Sequence, residues 1–194
     1  TAGDDVDVLI AMNPAALITN LKDVLVGGLL IIDSDAFTDK NMARAGYSSN
    51  PIEDGSLDAY RVIPIAVTKQ VLESVKPFGL SHKFAVRCKN MWTLGLVMWL
   101  FDRDRSITTD NLKQKFANKP EIADANIAAL NAGHAYAETA ELPTGVEVYR
   151  VPRAVAAPGL YRNITGSESL AYGLIAGGQL ADLPITFDSY PITP

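Results

Sequence analysis

Three short apolar runs in the first third of the chain limit most strongly what this sequence can fold into. They are VDVLIAM at 6–12, LLIID at 29–33 and YRVIPIAV at 60–67. Each run is continuous rather than alternating, which is typical of strands buried on both faces of a parallel sheet. Pro64 removes a backbone donor from the third run, so this strand is expected near an edge or at a bulge.

Helical segments separate these strands. Asn13 and Pro14 predict a helix start, and the segment after them is expected to stay helical up to a stop at Gly27-Gly28. A second, short helix is expected to follow DSDAF and to end near Ala45. Strands that alternate with helices predict right-handed crossovers and therefore an α/β fold with a parallel sheet.

The next part of the chain is predicted to be mainly helical. Residues 84–101 form a helix that is apolar nearly all round, with Trp92 and Trp99 on one face. Such a helix is either buried in the core or pressed against a partner subunit. Two more helices are expected at 108–119 and 120–139.

Composition divides the chain into three parts. Residues 1–139 are interpreted as one α/β domain with a helical C-terminal part. Residues 140–160 are rich in Pro and Gly and are interpreted as a linker that contributes at most one edge strand. Residues 161–194 predict a helix from near Ser167 and then a strand. Because one helix and one strand cannot bury their own apolar faces, this part is interpreted as the start of a second α/β domain, and the chain as an internal fragment.

Charge and cysteine content exclude several classes of protein. The net charge is −5 at pH 7 and the basic residues are scattered, which argues against a nucleic-acid surface. The single cysteine excludes an internal disulfide framework and is typical of a reducing compartment, so we expect the cytoplasm. No apolar run reaches membrane-spanning length, so no membrane partner is expected.

Histidine and cysteine carry little predicted chemistry. Neither His82 nor His134 has a second ligand at metal spacing, so both are interpreted as exposed helical side chains and no metal site is predicted. Cys88 lies between Arg87 and Lys89, cations that would lower a thiol pKa. A small buried hydrophobic residue is the favoured interpretation of Cys88.

Carboxylates cluster in DSDAFTD at 33–39 and in PIEDGSLD at 51–58. Neither segment has the ligand alternation or the terminal Glu of a calcium loop, so they are interpreted as a helix cap and a loop turn. Asp33, at the end of the second strand, would also suit a hydrogen bond to a ribose in a dinucleotide-binding fold. That alternative requires a GxGxxG fingerprint, and the chain contains none.

Two segments near the C-terminus are candidate binding sites. Gly166 and Ser167 begin a helix, whose free N–H groups and dipole are a weak candidate for a phosphate site, although tight packing explains the glycine equally well. In SYPITP, Pro191 and Pro194 restrict the backbone around Thr193, whose hydroxyl would be held at a strand's carboxyl end. A purely structural turn is the alternative for this segment.

Several segments together resemble a known enzyme family. They are AMNPAAL, NPIEDGSLDAYRVIP, RCKNMWTLGLVMW, KFANKPEIADANIAALNAGHAYAET, YRNITG and SYPITP. In this order, and nearly end to end, the chain resembles the 2-oxoacid:ferredoxin (acceptor) oxidoreductases. It is most similar to the subunit type in which a γ domain is fused ahead of an α domain, described as the 2-oxoglutarate oxidoreductase α subunit.

The resemblance implies a fold and a set of pocket residues. The fold would be a Rossmann-like parallel-sheet γ domain, incomplete at its N-terminus, followed by the first helix–strand unit of a thiamine-diphosphate pyrimidine-type α domain. Tyr190, Ile192 and Thr193 would face the cofactor and the 2-oxoacid, with the Thr193 hydroxyl donating a hydrogen bond to the substrate. Gly166-Ser167 departs from the Gly-Asn usual in the family.

The reaction implied by the resemblance is the coenzyme A-dependent oxidative decarboxylation of a 2-oxoacid, with ferredoxin as electron acceptor. The segment NPIEDGSLDAYRVIP resembles the 2-oxoglutarate subgroup, so the resemblance implies 2-oxoglutarate and not pyruvate as the substrate. Thiamine diphosphate with Mg²⁺ would be the cofactor, and 4Fe-4S clusters would lie on a partner β subunit in a hetero-oligomer. The thiamine-activating glutamate of the family follows SYPITP, so no catalytic set is complete in this chain and it is expected to be inactive alone.

Two other functions stay open at this point. One is a non-catalytic γ-type scaffold that docks a partner subunit through helix 84–101, with Trp92 and Trp99 as anchors. The other is a nucleotide-binding oxidoreductase domain, which would need the missing glycine fingerprint.

Overall fold

A three-stranded parallel sheet organises the first part of the chain. The computed structural model describes residues 5–139, 148–150 and 155–188. The strands are β1 (Val6–Ala11), β2 (Val24–Asp33) and β3 (Arg61–Ile65), in the order β1-β2-β3. All three predicted strands are confirmed, and β3 lies at an edge, as Pro64 predicted.

Eight α-helices accompany the sheet within the described residues. They are α1 (Pro14–Asn20), α2 (Asp39–Ala45), α3 (Val67–Val75), α4 (His82–Arg87), α5 (Lys89–Leu100), α6 (Ser106–Lys115), α7 (Pro120–Thr139) and α8 (Gly166–Leu180). The chain divides into two compact units, Thr1–Pro152 and Arg153–Pro194. No helix in the described part of the chain is both long and apolar enough to cross a membrane.

The central strand β2 is buried on both faces over residues 28–33, which explains why its sequence there is a continuous apolar run. Along β2, Leu29 and Ile31 point into a core that they share with α3, α5 and α7, whereas Leu30 and Ile32 point into a second core formed with α1 and α2. Successive side chains of a strand point to opposite faces, so a strand between two cores needs an apolar residue at every position.

The first helix is shorter than the sequence predicted. The prediction that it runs to a stop at Gly27-Gly28 is wrong, because α1 ends at Asn20 and residues 24–33 form β2. Val24 pairs with Val6 of β1, and the register shifts between Val6 and Val8. Gly27 has a φ of +80°, a backbone conformation that favours glycine, so this glycine shapes the irregular start of a strand.

The predicted helix at 84–101 is two helices, α4 and α5, which meet at Cys88. Trp92 of α5 is only 1% exposed and its ring lies 5.2 Å from that of Tyr136 of α7, measured between centroids. Burial in the core is therefore correct for Trp92, and Trp99 is partly buried against the same core. Docking of a partner through Trp92 is wrong, because that side chain is enclosed by its own chain.

The second unit contains α8, which confirms the helix predicted near Ser167. The strand predicted after it is not formed by residues 183–188. A strand exists only by hydrogen bonding to a neighbouring strand, and among the described residues β1 to β3 pair only with one another. The edge strand considered for the linker is likewise not formed at 148–150 or 155–160.

Candidate functional site

The carboxyl edge of the sheet gathers polar side chains from distant parts of the sequence. Parallel strands all end at this edge, which is where open α/β sheets place their ligands. Asn13 follows β1, Asp33 ends β2, and Thr68 follows β3 in the first turn of α3. Lys89, at the start of α5, completes the group by pairing with Asp33.

Asp33 is the centre of this cluster and is only 1% exposed. Its Oδ1 accepts a hydrogen bond from the Val67 amide at 3.1 Å, and its Oδ2 accepts one from the Thr68 hydroxyl at 3.3 Å. The Lys89 ammonium also donates to Oδ2 and forms an ion pair with it. A buried carboxylate needs such partners because it has lost its hydration, and here both of its oxygens have them.

Asp33 and Asp35 together cap helix α3. Asp33 accepts from the first amide of the helix, at Val67, and Asp35 Oδ2 accepts from the Lys69 amide at 2.9 Å. The N-cap residue itself, Ala66, makes no side-chain capping bond. The first amides of a helix have no partner inside it, so these two carboxylates satisfy donors that would otherwise be unpaired.

The sequence interpretation of these carboxylates as a helix cap is confirmed, and the structure shows that Asp33 and Asp35 cap α3. The helix that follows them in the sequence, α2, is capped by Thr38, whose hydroxyl accepts from the Asn41 amide. Asp33 instead caps α3, which begins 34 residues later at Val67. The role of Lys89 was missed, and a lone lysine at the start of a helix carries no sequence signal for it.

The geometry also bears on the ribose alternative for Asp33. A ribose contact needs an accessible carboxylate oxygen, and both oxygens of Asp33 are engaged by protein donors inside the fold. The arrangement supports a structural role, in which one carboxylate joins the end of β2 to the starts of α3 and α5.

A shallow cleft opens beside this cluster, between α1 and α2. It has a volume of about 240 Å³ and is lined by Asn13, Pro14, Ala15, Asn41, Arg44 and Ala45. The Asn13 side chain accepts from the Ala16 amide at 2.9 Å, and the Asn41 side chain donates to the Ala36 carbonyl at 2.9 Å. With amide and guanidinium donors on its walls, the cleft is chemically suited to a small anionic or carbonyl group.

Cys88 is a buried structural residue. It is 1% exposed, and burial raises the pKa of its thiol, which donates to the Phe84 carbonyl at 3.6 Å. Its neighbour Lys89 is paired with Asp33 rather than with the thiol. The interpretation as a small buried hydrophobic residue is confirmed, because a nucleophilic thiol would need a lowered pKa.

The two histidines differ from each other. His82 is exposed at the start of α4, as predicted. His134 is partly buried on α7, so the prediction that it is exposed is wrong. Burial is the largest cause that lowers the pKa of His134. The positive charge of Arg105 lowers it further, whereas the Glu138 carboxylate raises it. Within residues 5–139, 148–150 and 155–188, no group of three His, Cys, Asp or Glu side chains could hold a metal ion.

The second carboxylate cluster forms a loop turn, as predicted. Asp54 accepts hydrogen bonds from the Ser49 hydroxyl and from the Ser56 amide, the latter at 2.9 Å. The hydrogen bonds from Ser49 and Ser56 hold the pKa of Asp54 below its usual value, and the bond from Ser49 contributes most. Gly55, between the bonded residues, has a φ of +79°, which the tight turn requires.

Helix α8 begins with a reciprocal capping arrangement. The Glu168 amide donates to the Thr165 hydroxyl oxygen at 3.2 Å, while the Glu168 carboxylate accepts from the Thr165 amide at 2.8 Å. The phosphate site at Gly166 and Ser167 stays a prediction. An acidic side chain already lies at this helix end, so a second anion would be repelled there. Tyr190, Ile192 and Thr193 lie outside the described residues.

The chain is similar to known proteins over its whole length. Residues 1–136 match the family described as pyruvate ferredoxin/flavodoxin oxidoreductase. The chain is 47% identical over 194 residues, its full length, to the 2-oxoglutarate oxidoreductase subunit KorA of Mycobacterium tuberculosis, and spans 29% of that relative. The chain therefore covers less than a third of the length of this curated relative.

A solved structure shares the fold. It is the 2-oxoglutarate:ferredoxin oxidoreductase from Magnetococcus marinus with 2-oxoglutarate, coenzyme A and succinyl-CoA bound. The match has a TM-score of 0.54 and 24% sequence identity, and it covers 78% of this chain and 23% of that chain. At this level of identity the likeness concerns the fold alone, and it confirms the predicted Rossmann-like α/β class.

Proposed function

Because this chain belongs to the pyruvate ferredoxin/flavodoxin oxidoreductase family, we propose that it is part of a 2-oxoglutarate:ferredoxin oxidoreductase. The complete enzyme would convert 2-oxoglutarate and coenzyme A to succinyl-CoA and CO₂, and would pass two electrons to ferredoxin. The observation that carries this proposal is the 47% identity, over the whole chain, to a subunit named as a 2-oxoglutarate oxidoreductase.

The three parts of the chain would have separate roles in that enzyme. Residues 1–139 would be a γ-type domain, residues 140–160 a linker, and residues 161–194 the start of an α-type domain. The tightly bonded cluster around Asp33 supports a scaffold role for the first part, because its polar groups are engaged within the fold. The chemistry would then take place on the second domain and on a partner.

Thiamine diphosphate with Mg²⁺ would supply the carbanion chemistry of the decarboxylation. The residues of this chain that would face it and the 2-oxoacid are Tyr190, Ile192 and Thr193. The part of the chain that the structure describes contains none of the three. The Thr193 hydroxyl would orient the substrate by donating a hydrogen bond, with Pro191 and Pro194 restricting its backbone.

Partners and compartment follow from the same proposal. A β subunit would carry the 4Fe-4S clusters and complete a hetero-oligomer, with ferredoxin as the electron acceptor. The relative is itself named as a subunit, which supports an assembly of several chains. The cytoplasm is the proposed location, because reduced ferredoxin and iron–sulfur clusters suit a reducing compartment and the chain has a single cysteine.

The test is an assay of the full-length subunit purified together with its β partner. We expect 2-oxoglutarate to support reduction of a viologen dye, and the reduction to require coenzyme A. Activity with pyruvate but not with 2-oxoglutarate would show that the substrate is wrong, and NAD(P) reduction without dye reduction would show that the class is wrong.

Variants of Thr193 test its proposed role. Thr193→Ala should raise KM for the 2-oxoacid, because the hydrogen-bond donor is lost, whereas Thr193→Ser keeps the hydroxyl and should stay close to the parent enzyme. Equal behaviour of the two variants would argue against a hydrogen bond from Thr193 to the substrate.

A further inference from the structure

Residues 148–150, which follow α7 in the sequence, pack against the rest of the first unit. Tyr149 contacts the core on the side of α3, α5 and α7, whereas Val148 is 48% exposed. The Arg150 side chain is 87% exposed and forms an ion pair with Asp102 at 3.7 Å. Burial in this segment is therefore concentrated at Tyr149, and the exposed ion pair of Arg150 adds little to it.

Three contacts of different kinds hold Tyr149. Its amide donates to the Leu100 carbonyl at 2.7 Å, which satisfies an acceptor at the end of α5. Its ring stacks on Phe101 with 5.5 Å between centroids and 27° between planes. Its hydroxyl accepts from the Arg61 guanidinium at 2.8 Å.

Arg61 is itself oriented by the sheet. It is the first residue of β3, and its Nε donates to the Gly27 carbonyl of β2 at 3.0 Å. The Tyr149 hydroxyl therefore meets a guanidinium that is already held in place, and a hydrogen bond between pre-oriented groups loses less entropy when it forms.

We propose that Tyr149 is an anchor that fixes the connection between α7 and α8 to the amino end of the sheet. Helix α7 ends at Thr139 and helix α8 begins at Gly166. Without the anchor, residues 140–165 would form the connection between these helices. With the anchor, the connection consists only of residues 150–165. It then starts at the amino end of the sheet, whereas Asp33 lies at the carboxyl end.

The anchor has a measurable consequence for the reach of the connection. A fully extended chain spans about 3.5 Å per residue, so the maximum reach falls from about 90 Å to about 55 Å. The effective concentration of a tethered group falls roughly as the −3/2 power of tether length, so the anchor raises it about twofold. This proposal does not depend on which reaction the enzyme catalyses.

Limited proteolysis of the full-length protein tests the anchor. Trypsin cleaves after arginine, and Arg150 lies next to Tyr149, while Arg162 in the second unit is an internal reference. We expect Tyr149→Ala to raise cleavage after Arg150 about tenfold relative to Arg162, because proteolysis follows the population of the open segment. Tyr149→Phe keeps the ring and the amide bond, so it should give a smaller rise.

Tyr161→Ala is the matched control. Tyr161 is also a tyrosine, 68% exposed, whose hydroxyl donates to the Ala157 carbonyl within the second unit. It should leave cleavage after Arg150 unchanged, measured in this variant against the amount of intact protein because Tyr161 adjoins the reference site at Arg162. Hydrogen exchange gives a second readout, since the Tyr149 amide should be protected in the parent protein and lose that protection in Tyr149→Ala.

Two results would overturn the proposal. One is equal cleavage after Arg150 in the parent protein and in Tyr149→Ala. The other is a rise in cleavage within α5 and α7 in Tyr149→Ala that equals the rise after Arg150. Such a result would mean that Tyr149 stabilises the core of the first unit and does not specifically anchor the connection.

Discussion

Gly95 of α5 and Gly133 of α7 lie where the two helices cross, each against the backbone of the other helix. A Cβ atom added to Gly95 would lie 1.9 Å from the Leu130 carbonyl oxygen, and one added to Gly133 would lie 1.8 Å from the Trp92 carbonyl oxygen. Real Cβ atoms never approach backbone this closely. The two glycines therefore allow α5 and α7 to pack backbone to backbone, which brings the Trp92 ring into the core.

Gly133→Ala should destabilise the first unit by about 3 kcal/mol, because the added methyl forces the helices apart and overpacks the core. The unfolding midpoint in urea measures this loss. Gly173→Ala in α8 is the control, since its Cβ would meet nothing within 4 Å. Alanine is the better helix former by up to about 1 kcal/mol, so Gly173→Ala should be neutral or stabilising. Equal losses in both variants would contradict the close crossing.

Asp33→Ala should cost about 3 kcal/mol of folding free energy, because it leaves the largely buried Lys89 ammonium and the Val67 amide without their partner. Asp35→Ala removes only an exposed cap of the same helix and should cost about 1 kcal/mol. Chemical unfolding of the two variants gives the comparison. If both lose the same free energy, the buried cluster does not hold β2, α3 and α5 together.

Asp54→Asn should change how stability depends on pH. Hydrogen bonds from Ser49 and Ser56 lower the folded-state pKa of Asp54, so its contribution is present above its ordinary pKa of about 4 and is lost as pH falls through the lowered folded value. The parent protein should exceed Asp54→Asn in stability near neutral pH, and the two should converge in acid. Urea unfolding at several pH values measures the difference, and a constant difference would contradict the assignment.

Cys88 should react with thiol reagents only after the first unit opens. Its thiol is buried and its pKa is raised by that burial, so both the exposure and the thiolate needed for reaction are missing in the folded state. Mass spectrometry of the peptide that contains Cys88 should show slow alkylation in buffer and fast alkylation in urea. Fast alkylation of the folded protein would mean that the α4–α5 junction opens readily.

Much of the fold could be predicted because its signals are local. The three strands follow from continuous apolar runs, and α7 begins at Pro120 and ends at Thr139 as predicted. The predictions that were wrong concern segments whose structure depends on a distant partner. Val24 joins β2 because it pairs with Val6, whereas its own neighbours favoured a longer α1.

The candidate site shows the same division. The interpretation of Asp33 as a cap needed only its residue type, but the choice of α3 over α2 depends on where β2 ends relative to the start of α3. Lys89 was missed since nothing near it in the sequence marks it as a partner of a carboxylate 56 residues away.

By itself, the sequence determined the α/β class, the three strands and the family to which the chain belongs. These properties follow from apolar periodicity, residue chemistry and the order of short segments, all of which are present in the linear sequence. Only the tertiary structure decided that Asp33 pairs with Lys89, that Gly95 and Gly133 meet, and that Tyr149 returns to Arg61. The reason is physical: these contacts depend on how helices pack against a sheet, and packing is set by all of the surrounding side chains together.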